Sequence, residues 1–142
     1  MSTSTIQIII GAVLLLHGLG HIGALAALSF TGRGRDTGGW KSARSWLVPS
    51  LAPGTARAIA SVFWVLSAVG FVAAALSFWG ILLPTDIWRQ LAAVFAIVSA
   101  VGIVLFLGTW PVFNTIAALA VNIAVLVSIF WLHWPPVEML GK

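Results

Sequence analysis

The chain contains no cysteine, and only three of its 142 residues are acidic. The first absence removes disulfides, thiolate metal sites and thiol redox chemistry together. The second leaves little for carboxylate catalysis, because Asp36, Asp86 and Glu138 all fall outside the long apolar runs. Charge of either sign is scarce: 7% of the residues are charged, against about a quarter in a soluble domain. A chain this poor in charge cannot cover a water-facing surface, so it belongs in a bilayer. No nucleophile–base–acid set and no phosphate-cradling glycine loop is present.

What the chain has is hydrocarbon. It is 61% hydrophobic with a mean hydropathy of +1.10. A helix needs about 20 apolar residues to cross the bilayer core, and the stretches 5–29, 57–79, 88–108 and 112–134 qualify. This predicts an all-α fold, a bundle of four transmembrane helices in a single domain spanning 1–142. The first stretch does not read as a cleavable signal peptide, since MSTST lacks Lys and Arg and the run exceeds the usual h-region. Pro53 and Gly80 punctuate the second helix, Thr85 is a candidate N-cap for the third with Asp86 favouring its dipole, and Pro111 and Pro135-Pro136 bound the fourth.

The net charge of +4 would suggest nucleic acid in a soluble protein; here the basic residues read as topology signals instead. Arg33, Arg35, Lys41, Arg44 and Arg57 lie in or beside the loop between the first two spans, against Arg89 and Lys142 on the other side. The positive-inside rule places that loop, 30–56, in the cytoplasm and both termini outside a bacterial inner membrane. Tryptophans fall near the span ends, Trp79, Trp88, Trp131 and Trp134 at one and Trp40, Trp46 and Trp110 at the other, with Trp64 deeper. The loop opens with the glycine-rich TGRGRDTGG. Its second half, WKSARSWLVPSL, spaces Trp40, Ala43, Trp46 and Leu47 at helical intervals beside Lys41 and Arg44. This stretch can lie on an anionic membrane surface; an ordinary positive-inside connector is the alternative.

Polar side chains inside a span are costly and face protein or a cavity. His17, Ser67, Ser99 and Asn122 each fall near the middle of their spans, and His21 lies about 6 Å nearer the loop side at 1.5 Å per residue. His17 and His21, in HGLGH, are one turn apart on one helix face. Depth matching predicts that His17 meets Asn122, Ser67 or Ser99. His21 has fewer partners at its depth, which makes it the better candidate for a ligand or second-subunit contact. Gly20 and Ala24 continue the histidine face; Ala92 and Ala96 line the third helix, and Ala117, Ala120, Ala124 and Ser128 the fourth. Such rows let membrane helices approach closely. Leu15, Leu19, Ile22 and Ala26 are expected to meet lipid. These polar groups serve either as hydrogen-bonding glue or as a site, and the residues alone leave both open.

Two histidines at i, i+4 can supply two cis metal ligands, but zinc needs another strong ligand and none lies at their depth. The bundle can in principle hold haem, yet His17 and His21 point the same way and cannot clamp one iron from opposite faces. The absence of a membrane-embedded carboxylate argues against a small proton-driven multidrug carrier.

The first helix, IIIGAVLLLHGLGHIGAL, resembles the opening helix of DoxX-like small bacterial membrane proteins, in which Gly, an apolar run and His-Gly-x-x-Lys follow one another. Gly11, His17 and Gly18 fit that layout; His21 stands where the family has lysine, and the second helix lacks the family's acidic residue. The resemblance implies a four-helix membrane partner of quinone-linked oxidoreductases. The sequence therefore leads to an accessory subunit or binding module without catalysis of its own, in contact with the lipid bilayer and with another membrane subunit or a second copy of itself. Its His17/His21 face would line a quinone, lipid or cofactor contact. The alternative is a redox protein that binds haem or quinone directly.

Overall fold

The computed structural model describes residues 3–31 and 38–136. Among them are four helices: α1 (Thr3–Phe30), α2 (Pro53–Trp79), α3 (Trp88–Leu105) and α4 (Val112–Phe130). All four are long and apolar enough to cross a membrane, and the described residues contain no strand. The protein is an all-helical, multi-pass bundle. Close backbone contact runs α1 to α2, α2 to α3 and α3 to α4.

The helix ends follow local chemistry. Pro53 fits the first turn of α2, where its missing N–H costs nothing, so α2 begins one turn before Arg57. Gly80 closes the helix in the left-handed conformation (φ 68°), and its N–H reaches the Ser77 carbonyl at 3.0 Å while Ile81 N–H reaches Leu76 at 2.8 Å. Thr85 does not cap α3: the residue at that position is Ile87, with no side-chain cap. The third and fourth spans stop earlier than their apolar runs suggest, at Leu105 and Phe130, because Gly108 (φ 87°) turns the chain after α3 and α4 unwinds before its prolines.

Two apolar clusters fill the bundle. The one nearest the 38–52 loop joins Ala24 and Leu28 to Ala60, Trp64, Phe106 and Trp110. The other joins Leu14 to Phe71, Ala74, Phe78, Trp88 and Ala96. Leu19, Ile22 and Ala26 are exposed on the bundle surface as expected, but Leu15 packs against the second cluster.

Several expected packing contacts are rearranged. Ala24 and Ala96 are fully buried. Gly20 and Ala124 are not packing positions: both are exposed, and a Cβ built on Gly20 meets nothing within 4 Å. The close approach is made by Gly18 instead, where an added Cβ would sit 3.0 Å from the Ala68 carbonyl oxygen and 3.1 Å from Val72. On α4 the buried positions are Thr115, Ala118 and Asn122, so the row of small residues 117, 120 and 124 faces away from α3.

The loop is also different from its periodicity. Residues 38–52 form no helix. Trp40 turns inward to stack obliquely on Trp110 with ring centroids 5.4 Å apart, Ala43 is buried, and Trp46 donates its indole N–H to the Val104 carbonyl at 2.6 Å. Helical spacing was misleading here because burial against α3 and α4 satisfies the same side chains in an irregular backbone. Lys41, Arg44 and Trp46 remain exposed. Only part of the tryptophan set forms a surface belt, since Trp88 and Trp110 are buried.

Candidate functional site

The midpoint polar residues of three helices meet in one hydrogen-bonded chain between the two apolar clusters. His17 Nε2 of α1 lies 2.9 Å from Asn122 Oδ1 of α4. Asn122 Nδ2 donates to Ser99 Oγ of α3 at 2.8 Å, and Ser99 Oγ lies 3.0 Å from His21 Nε2, back on α1. Sequence depth thus pairs His17 with Asn122. It does not bring in Ser67, whose hydroxyl donates to its own helix at Phe63 O, 2.8 Å away. Phe71 of α2 packs edge-on to the His17 ring, with centroids 4.4 Å apart.

The amide fixes the direction of the first bond. An amide oxygen only accepts, so His17 Nε2 carries the hydrogen shared with Asn122. Ser99 accepts from Asn122, and the acceptor within reach of its own hydrogen is His21 Nε2. The other ring nitrogen of His21, Nδ1, stays outside this chain of bonds. That Nδ1 is buried and has no hydrogen-bond partner among the described residues.

His21 departs from expectation in a second way. It is 1% exposed and bonded to Ser99, so it is part of the bundle's interior and not a spare side chain awaiting a second subunit. Its neighbourhood explains the burial: Trp110 lies across it with centroids 5.3 Å apart, and the His17 ring stands perpendicular at 5.1 Å. Trp110 Nε1 is likewise buried without a partner, as is Trp64 Nε1. The Trp64 and Trp110 rings are 5.7 Å apart. Sequence reasoning missed this tryptophan pair, because Trp110 next to Pro111 has the signature of a membrane-interface anchor.

A cavity of about 180 Å³ opens beside the histidines on the side where α1 and α4 face each other, with His17, Gly20, His21, Trp40, Trp110 and Asn114 in its wall. Gly20 keeps it open, because nothing stands where its side chain would be. A second, almost wholly apolar cavity of about 250 Å³ follows the same seam toward the other end, between Ile10 and Leu14 of α1 and Val125 and Ser128 of α4. Val121 borders both. Ala124, displaced from the packing role, lines the apolar one.

No group of three or more His, Cys, Asp or Glu side chains gathers among the described residues. Haem ligation through Nε2 of either histidine would first break its bond to Asn122 or Ser99. Comparison of the chain with protein-family models, with curated proteins and with solved structures finds no match.

Proposed function

We propose that the protein is a small binding module of the bacterial inner membrane, without catalysis of its own, whose site is the α1/α4 cavity beside His17 and His21. The observation that carries this reading is the cavity itself, open beside Gly20 in the middle of a span and walled by the imidazoles. Sites for small ligands are apolar hollows with a few placed polar groups, and a mid-membrane hollow takes its ligand from the bilayer. A ligand of low polarity that carries a hydrogen-bonding oxygen fits both the apolar wall and the imidazoles. A quinone meets that description, and the resemblance of α1 to DoxX-like proteins favours it over other lipids. The protein would act as an accessory subunit, holding quinone for an oxidoreductase in the same membrane, with the 30–56 loop cytoplasmic. Direct haem-based redox chemistry is less favoured, because both Nε2 atoms are already engaged.

The test is tryptophan quenching by decylubiquinone in phosphatidylcholine nanodiscs, since Trp40 and Trp110 line the cavity. Saturable quenching is expected in the wild type and should be lost in Gly20→Leu, which puts a bulky side chain at the cavity wall from a position where a Cβ meets nothing within 4 Å. Equal quenching in both proteins would defeat the reading. Mild-detergent co-purification with mass spectrometry identifies the partner subunit.

A further inference from the structure

A third cavity lies outside the bundle core, where the 38–52 loop crosses the turn between α3 and α4. It measures about 420 Å³ and is bordered by Lys41, Ser42, Arg44, Leu107, Gly108 and Thr109. We infer that it is a binding site for the phosphate of a ligand with net negative charge, presented at the membrane interface by the loop and the α3–α4 turn. It is separate from the quinone reading and does not depend on it.

Four observations converge. First, the walls supply two cations and the Ser42 hydroxyl, and neither Lys41 nor Arg44 has a carboxylate partner among the described residues. An anion with several acceptor oxygens matches that donor set, and charge-assisted bonds to phosphate are among the strongest available. Second, the Thr109 hydroxyl is buried, with the residue 2% exposed, and has no hydrogen-bond partner. A buried hydroxyl left unpaired costs free energy and calls for a partner. Third, the site is held in place. Lys41 N–H donates to the Thr109 carbonyl at 2.8 Å, and Trp46 Nε1 donates to Val104 O at 2.6 Å, so the segment carrying both cations is pinned at each end. Fourth, the cavity sits just beyond the apolar spans, between the end of α3 at Leu105 and the start of α4 at Val112. That is the level of lipid phosphates.

The phosphate can belong to a lipid headgroup or to a free anion, and one experiment separates these sources. The detergent-purified protein is titrated with dioleoylphosphatidylglycerol, with dioleoylphosphatidylcholine and with inorganic phosphate, and occupancy is read by native mass spectrometry. Saturable binding of one phosphatidylglycerol, in preference to phosphatidylcholine, is expected. Lys41→Gln with Arg44→Gln should weaken it about 30-fold, from roughly a five-fold loss per basic residue at a membrane surface. Ser42→Leu replaces a wall hydroxyl by a bulky apolar side chain while leaving every charge in place, and should weaken it several-fold. Thr109→Val should lower occupancy several-fold with an unchanged or raised melting temperature, since it removes an unpaired buried hydroxyl; a merely structural threonine would not give that combination. Displacement of phosphatidylglycerol by millimolar inorganic phosphate assigns the site to a free anion, and its failure assigns it to the headgroup. Equal occupancy by both lipids in the wild type would overturn the inference. So would Ser42→Leu binding phosphatidylglycerol like the wild type while the double charge variant does not, because the attraction would then be diffuse surface charge.

Discussion

Replacing Asn122 by Leu tests the midplane chain of hydrogen bonds most directly. Asn122 is fully buried and makes both central bonds, accepting from His17 Nε2 at 2.9 Å and donating to Ser99 Oγ at 2.8 Å. Side-chain hydrogen bonds between membrane helices contribute about 0.6 kcal/mol on average and up to about 1.7 kcal/mol. Losing two therefore costs about 1–3 kcal/mol. Leucine has similar volume, so little of that comes from a cavity. The control is Ser67→Ala: Ser67 is also fully buried at mid-span, but its hydroxyl bonds to its own helix at Phe63 O, so close to zero is expected. Both variants can be unfolded from mixed micelles by increasing the SDS mole fraction, with helicity as the signal. A double-mutant cycle of His17→Leu with Asn122→Leu isolates the direct bond and should show a coupling of about 0.6–1.7 kcal/mol. Asn122→Leu as stable as the wild type, or Ser67→Ala equally damaging, would refute the claim that interhelical pairing at this level matters.

Other outcomes follow from the same contacts. His21→Leu should destabilise the bundle at least as much as His17→Leu, by about 1–2 kcal/mol, because it removes the bond between two fully buried groups, His21 and Ser99; SDS unfolding of the two single variants ranks them. Gly18→Val should cost about 1–3 kcal/mol by overpacking against Ala68 and Val72, whereas Gly20→Ala should be neutral or stabilising by up to about 1 kcal/mol of helix propensity. Parallel melting curves of those variants give the comparison. Cysteines placed at Ser2, Gly38 and Gly141 report topology in intact cells: labelling by an impermeant thiol reagent is expected at both ends and not at Gly38, and the reverse pattern would invert the orientation.

The number of spans was legible because hydrocarbon length and apolar composition leave a chain like this few alternatives. The His17–Asn122 contact was also within reach, because two costly polar groups at equal depth have few places to go. Which glycine brings helices together was not. Gly18 and Gly20 are separated by about 200° around the helix at 100° per residue, and nothing local says which of those directions α2 occupies. The same limit hid the Ser99 bond to His21: depth alone set His21 apart by a turn, while the side chains reach across that turn. The loop at 40–47 misled for another reason. Its spacing suits an amphipathic helix, but Trp40 finds Trp110 and Trp46 finds the Val104 carbonyl, and those contacts settle the backbone.

HGLGH carries a near-symmetry that the protein has to resolve. His17 and His21 are one turn apart, so sliding α1 along its axis by about 6 Å would put His21 where His17 now meets Asn122. The hydrogen bonds alone barely distinguish the two alignments. Gly18 does, because the Ala68 carbonyl leaves no room for a side chain there. A slip of four residues in either direction would bring Leu14 or Ile22 to that point in its place. A single missing side chain on the α2 side thus keeps α1 from ratcheting, and so decides which imidazole faces Asn122 and which faces Ser99.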